Sequence, residues 1–413
     1  MSSLIRLFLV TYFLLLTLYF GSCSPASFKE ITEPKFHPDV GLNISQLLKR
    51  HGYPFEAYTV VTEDGYMLGL HRIPFGVHNK STESGKPVAL LVHGLMSQSI
   101  DFLNNEPEHS LGLLLADQGY DVWLINLRGN THSRRHITLD PDVDKAKFWD
   151  FSWHESGIYD LPATIDLILN TTGQSKLYYF GHSRGTTAFF VMASELPEYN
   201  QKIRLMTSLA PVTFMENNLD KDKWLLANSI LGLQITAKVL NLHELMSHSD
   251  TRLKIVKTCC YEGSPCLKEC ELYFEKSFGD SPTEFNMTLL PVYLSNSPSG
   301  FSVKDGFHYL QQFKNGGRFR QYDYGVLKNK IKYGQSTPPE YNLTNVVAPV
   351  ALHYARNDLA TGYKDVEHLA RVLPNCINLR MVPLEKFYHL NFIWSNHVKT
   401  LVYDEIFKDL TKY

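Results

Sequence analysis

Long blocks of one charge sign are absent from this sequence: 40 lysines and arginines and 42 aspartates and glutamates spread along 413 residues, for a formal net charge of −2. That balance excludes the basic footprint of a nucleic-acid-binding domain, so no nucleic-acid partner is expected. No internal repeat or low-complexity tract is present either. With 44% hydrophobic and 20% charged residues, the chain has the balance of a globular protein able to bury a sizeable core. Long apolar runs are scarce: the stretch from Leu7 to Phe20 falls short of the ~20 residues a spanning helix needs. Arg6 ahead of it, and Gly21, Ser22, Cys23, Ser24 and Ala26 behind it, give it the layout of a secretory signal over residues 1–24, with no transmembrane anchor expected. Pro25 argues against a cut directly before it.

Cysteine is also sparse. Four of the six lie in "CCYEGSPCLKEC" (Cys259, Cys260, Cys266 and Cys270), with Cys376 distant and Cys23 at the signal border. The paired C-x2-C spacings and neighbouring histidines of a zinc cluster are missing, so a disulfide-bonded loop is the better reading and no metal is expected. Connectivity stays open, and five cysteines beyond the signal leave one unpaired. Export agrees with five N-x-[ST] sequons, at Asn43, Asn79, Asn170, Asn286 and Asn342. The expected destination is the extracellular space or the lysosomal lumen.

What the chain does have is rhythm. "EDGYMLGLHRIP" (63–74) puts Asp64-Gly65 between two β-prone runs and reads as an antiparallel hairpin. Apolar runs then alternate with helical patterns: "PVALLVHG" (87–94), "YDVWLINLRG" (120–129), "KLYYFGHS" (176–183) and "IRLMTSLAPV" (203–212). Short buried strands separated by helices imply right-handed crossovers and a mostly parallel sheet covered on both faces. The rhythm breaks near residue 213 and resumes at "PVALHYARND" (349–358) and "NLRMVPLEKFYHL" (378–390). The expected division is a core of residues 25–212 and 336–413, interrupted by a cap and lid over 213–335. Within that interruption, "WLLANSILGLQITAKVLNLHELM" (224–246) has helical apolar spacing but is broken by Gly232, Gln234 and Lys238.

"YYFGHSRGTT" (179–188) holds a Gly-x-Ser-x-Gly, which alone is expected by chance on the order of once in ten chains this long. Here it follows a strand and precedes a helix, so Ser183 would sit at a sharp elbow facing a helix N-terminus. A serine nucleophile needs a histidine base oriented by a carboxylate, in the chain order Ser, acid, His. Asp358 ends a strand, although a turn aspartate would look the same. Of the later histidines, His368 falls on a helix and His397 near the last one, whereas His389 follows the final strand. His93, before Ser183, reads as a structural strand-end residue. Oxyanion donors are expected from the backbone of Arg184 and of Leu95, each worth roughly 3 kcal/mol of transition-state stabilisation. The constellation points to acyl-ester or amide chemistry through a serine acyl-enzyme, with no cofactor required.

These stretches, with "NISQLLKRHGYP", "VVTEDGYMLGLHRIP", "LVHGLM", "NLRGNTHSRRH", "FWDFSWHESGIYDLPATID", "GHSRGTT" and "HLNFIW", resemble the animal acid lipase family that includes lysosomal acid lipase and gastric lipase. The likeness covers nearly the whole mature chain. It implies an α/β-hydrolase fold, a mostly parallel central sheet with helices on both faces and an inserted cap and lid. It also implies Ser183, Asp358 and His389 as the triad, Leu95 and Arg184 as oxyanion donors, and triacylglycerols or sterol esters as substrates, commonly at acidic pH. Three departures stand out, one being a cysteine loop that holds more cysteines than the family pattern. Arg184 replaces the usual Gln, and its charge is expected to alter the pH optimum by opposing the imidazolium of His389. Asn391 in "YHLNF" replaces an acid.

The leading expectation is therefore a lipase acting on lipid at a lipid–water interface, with no obligate protein partner. A soluble short-chain carboxylesterase and a non-catalytic lipid-binding protein are the alternatives. A serine at the elbow excludes an aspartate-nucleophile hydrolase.

Overall fold

A computed structural model describes residues 36–79, 85–217, 221–247, 250–278 and 282–413; the expected signal and Cys23 lie outside them. The strands are β1 (Glu56–Val61), β2 (Met67–Ile73), β3 (Val88–Val92), β4 (Asp121–Ile125), β5 (Leu177–His182), β6 (Ile203–Leu209), β7 (Glu244–Leu245), β8 (Phe301–Ser302), β9 (Val350–Tyr354) and β10 (Cys376–Met381). Eight of them form one sheet in the order β1-β2-β4-β3-β5-β6-β9-β10. β1 and β2 pair antiparallel around Gly65, whose φ is +94° and whose missing Cβ leaves room for the His136 ring. β2 meets β4 antiparallel, and every pair from β4 to β10 is parallel.

The central strands are buried at every position, because alternate side chains enter opposite cores. Ala89, Leu91, Leu124 and Phe180 face one, while Val88, Leu90, Trp123 and Tyr179 face the other. Helices α1 (Leu111–Asp117), α2 (Leu161–Thr172) and α3 (Arg184–Glu195) make the crossovers. The chain leaves β3 toward β4 but leaves β5 toward β6, so loops part between the C-terminal ends of β3 and β5. Such a switch point opens a crevice in a parallel sheet.

Between the neighbouring strands β6 and β9 the chain makes its long excursion. It holds α4 (Lys221–Asn228), α5 (Ile230–Val239), α6 (Asp250–Cys259), α7 (Leu267–Phe278), α8 (Leu290–Asn296), α9 (Val303–Lys314) and α10 (Val326–Tyr333). The apolar stretch 224–246 is divided between α4 and α5, which break at Ser229, and β7, which pairs with β8. The last of the crossover helices, α11 (Tyr363–Val372), precedes a β10 that stops at Met381, short of the extended run expected to residue 390; the remainder is loop.

The cysteine loop differs from expectation in one member, and two cysteines rather than one are free among the described residues. Cys260 bonds Cys270, and Cys266 is disulfide-bonded too, but Cys259 is a buried free thiol, as is the half-buried Cys376. Adjacent residues leaving a helix project ~100° apart. With Cys260 turned toward Cys270, Cys259 points elsewhere, and burial raises its thiol pKa. Of the sequon asparagines, Asn43, Asn170 and Asn342 are exposed, Asn79 and Asn286 half-buried.

Candidate active site

β5 ends at His182 and α3 begins at Arg184, leaving Ser183 to turn the chain at φ 53°, ψ −117°. A non-glycine residue keeps such a conformation only when its surroundings impose it. The Ser183 N–H donates to the Leu209 carbonyl at 3.0 Å, and its own carbonyl accepts from Thr186 N at 2.8 Å. The flanking glycines follow from packing: a Cβ on Gly185 would lie 2.2 Å from the Val92 carbonyl oxygen, and one on Gly181 would lie 3.0 Å from Gly185. The first N–H groups of α3 have no intrahelical acceptor and create a positive end beside Ser183.

The loop after β3 lies against this elbow, since a Cβ on Gly94 would sit 3.2 Å from that of Ser183. His93 is buried and structural, as expected. Its Nδ1 donates to the Gly94 carbonyl at 2.8 Å, and its Nε2 accepts from Leu127 N at 3.0 Å. Burial pushes its pKa down to about 3, so the ring is neutral. Because a peptide's C=O and N–H point opposite ways, fixing the Gly94 carbonyl also fixes the direction of the Leu95 N–H.

In the loops after β9 and β10, the His389 Nδ1–H donates to Asp358 Oδ2 at 2.8 Å. That leaves Nε2 as the acceptor nitrogen. Asp358 is wholly buried, and its other oxygen accepts from Ala360 N at 2.7 Å and Thr361 N at 3.1 Å. One oxygen of Asp358 thus serves the turn and the other meets the histidine. His182, just before Ser183, donates Nε2–H to the His389 carbonyl at 3.0 Å, its ring 4.9 Å from that of His389. Asn391 accepts from Tyr388 N at 2.6 Å through Oδ1, a bond that a carboxylate would make equally. His397 instead meets Glu284 at 3.0 Å, and His368 packs on Phe214.

Arg184, whose charge is expected to oppose the imidazolium of His389, lies inside the protein beside an acid. Its buried guanidinium lies 3.0 Å from Asp305 Oδ2 on α9 and donates to Ser156 Oγ at 2.8 Å. Burial pushes Asp305 up to about 6, against the pull of that guanidinium. Sequence reading had no signal for Asp305, which lies in the excursion far along the chain.

The excursion grips the loop after β3 and the start of α3. Ser299 N donates to the Met96 carbonyl at 2.7 Å, Gln98 Nε2 to the Asn296 carbonyl at 2.5 Å, and Tyr309 meets Thr187 at 3.2 Å. The "NLRGN" and "GIYDL" stretches join through Arg128 Nε, which donates to Asp160 at 2.8 Å, both side chains wholly buried. Among the described residues no group of three or more His, Cys, Asp or Glu could hold a metal ion.

The alpha/beta hydrolase fold model matches residues 87–396, and the partial alpha/beta-hydrolase lipase region matches 44–106. The gastric triacylglycerol lipase of Homo sapiens is 37% identical over 410 residues, covering 98% of this chain and 96% of its own. Lipase 1 of Drosophila melanogaster is 40% identical, covering 91% and 81%. The lysosomal acid lipase/cholesteryl ester hydrolase of Macaca fascicularis is 36% identical, covering 91% and 92%. A solved acetylester hydrolase from Corynebacterium glutamicum shares the fold, with a TM-score of 0.53 at 14% identity, covering 90% of this chain and 99% of that one. The chain therefore belongs to the alpha/beta hydrolase fold family and, within it, to the lipases that include gastric triacylglycerol lipase and lysosomal acid lipase.

Proposed function

We propose that this protein hydrolyses the ester bonds of triacylglycerols or sterol esters through a serine acyl-enzyme on Ser183. His389 Nε2 takes the hydroxyl proton as Oγ attacks the ester carbonyl, and Asp358 stabilises the imidazolium that forms. The backbone N–H groups of Leu95 and Arg184 receive the tetrahedral oxyanion. His389 then gives its proton to the departing alcohol, and a water attacks the acyl-enzyme along the same path. The observation that carries this reading is the 2.8 Å His389–Asp358 contact, coupled through His182 to a serine held at positive φ.

Residues 213–335 form the cap and lid in this reading, over a core of 25–212 and 336–413. α5 turns Leu231, Ile235 and Val239 outward at 66%, 57% and 78% exposure. Their i, i+4, i+8 spacing makes one apolar ridge, which favours a lid that opens on lipid over a soluble short-chain esterase. The site of action is the extracellular space or the lysosomal lumen.

The test is hydrolysis of a long-chain triacylglycerol emulsion, a cholesteryl ester and a soluble short-chain ester. Ser183→Ala should lower turnover on the order of 10⁶-fold and Asp358→Asn by ~10⁴-fold. Turnover of the short ester alone would demote the protein to an esterase. No turnover of any of the three would leave the lipid-binding reading.

A further inference from the structure

We propose that α10 is a docking foot for an anionic lipid surface, separate from the lid ridge on α5. In a helix packed on a globular protein the apolar stripe faces inward. α10, "VLKNKIKY", is built the other way round. Val326, Leu327 and Ile331 are 58%, 78% and 86% exposed, whereas the residue turned inward is Asn329. Asn329 is fully bonded there: Nδ2 donates to Asp323 Oδ1 at 2.8 Å and to the Ser336 carbonyl at 3.0 Å, and Oδ1 accepts from Tyr324 N at 2.9 Å. The Tyr333 hydroxyl donates to the Tyr322 carbonyl at 2.9 Å. Polar bonds thus fasten the helix to the protein and leave its hydrocarbon for something else.

The charges fit that use. At ~100° per residue, Leu327 and Ile331 form the crest, and the exposed Lys328 and Lys330 fall on either side of it. Lysines so placed lay their methylene stems along an apolar surface and raise their ammonium groups to the headgroup level. Lys332 stands beside them, donating to the Tyr324 hydroxyl at 3.0 Å. Of the nearby acids, Glu340 is paired with Arg318 and Arg320, and Asp323 is held by Gly325 N and by Asn329 on the face of α10 opposite the crest. At both ends of the helix the glycines, Gly325 and Gly334, face open space.

An 8-residue helix spans only ~12 Å, and one crest of that length falls well below the ~800 Å² per partner of a stable protein interface. A lipid surface needs no such area, and the lysine flanks choose an anionic one. Gln234 of α5 donates to the Tyr322 hydroxyl at 3.3 Å and Tyr333 of α10 to the Tyr322 carbonyl at 2.9 Å, so the two helices flank one tyrosine. The inference rests on the lipase reading only for the purpose of docking; the docking itself is tested apart from turnover.

The test uses the full chain carrying Ser183→Ala, sedimented with phosphatidylcholine vesicles with and without phosphatidylglycerol. Binding should be stronger with phosphatidylglycerol and weaken as salt rises. Adding Leu327→Glu and Ile331→Glu should lower it at least ~tenfold. Lys328→Gln with Lys330→Gln should remove the preference for phosphatidylglycerol and flatten the salt dependence. In the Ser183 background, each pair of substitutions should leave soluble short-ester turnover unchanged, which also shows that the variants fold. Equal binding to the two vesicle types, or undiminished binding by the glutamate variant, overturns the proposal. So does a dimer that the glutamate variant disperses without any vesicle binding, which would assign the crest to a second copy. Absence of long-chain turnover alongside intact vesicle binding would instead remove the lipase reading and leave the docking foot standing.

Discussion

Arg184 does two things from one position: its backbone N–H is a proposed oxyanion donor, and its side chain is tied to Asp305 of the excursion inside the protein. A buried pair contributes little net stability over an apolar replacement, but breaking it leaves an uncompensated charge at a cost of ~3–5 kcal/mol. Arg184→Gln should therefore lower unfolding stability near pH 7, where Asp305 would be left as a lone buried carboxylate, by up to about that much. Arg184→Gln with Asp305→Asn, which leaves two amides and no charge, should recover most of the loss. A double-mutant cycle in chemical denaturation checks this, and strictly additive losses would mean that the pair is not coupled. The loss should carry into turnover because the same helix turn presents Ser183.

At the scale of elements, the tightest constraint is where α3 crosses β3. Replacing glycine by alanine inside a helix ordinarily stabilises it by up to ~1 kcal/mol. At Gly185 the sign should reverse, since the added Cβ would meet the Val92 carbonyl oxygen at 2.2 Å. Neither partner can yield, one being the backbone of a central strand and the other the first turn of the elbow helix. Gly185→Ala should lose more than ~3 kcal/mol, in the range of severe overpacking, with a large fall in melting temperature. Gly173→Ala, in open space at the end of α2, is the control for a glycine fixed by φ alone (68°) rather than by contact, and should cost less.

The whole molecule buries many neutral histidines. Burial pushes His71, His93, His182 and His308 down to about 3 and His353 to about 4. A base whose folded pKa lies below its unfolded value of ~6.5 contributes stability above that value and loses it as pH falls toward the folded one. Each histidine gives a slope of up to ~1.4 kcal/mol per pH unit in that window. Asp305 acts in the opposite sense: its raised pKa of about 6 makes its contribution fully present below ~3.8 and lost as pH rises through 6. Burial raises Asp101, Asp160, Glu195 and Asp365 in the same sense, but carboxyls oppose the imidazoles only over the part of the window in which they titrate. The melting temperature should fall as pH drops from about 6.5 to 4.5, and a flat or rising profile over that range would contradict the burial of these rings as neutral groups. Lipid binding through α10 offers a compensating stabilisation in acid, because only the folded state presents the crest.

How much of this was written locally is visible residue by residue. The central strands announce themselves as short apolar runs because both faces are covered, and the Asp64-Gly65 turn, the elbow at Ser183 and the order Ser183, Asp358, His389 all depend on backbone geometry over a few residues. These the sequence determined by itself. The tertiary structure decided what depends on meetings between distant segments: that Cys260 rather than Cys259 faces Cys270, that Asp305 neutralises Arg184, that Asn329 turns inward so Leu327 and Ile331 turn out. Periodicity can say which residues share a face of a helix, but which face meets the protein is set only when the rest of the chain arrives to pack against it.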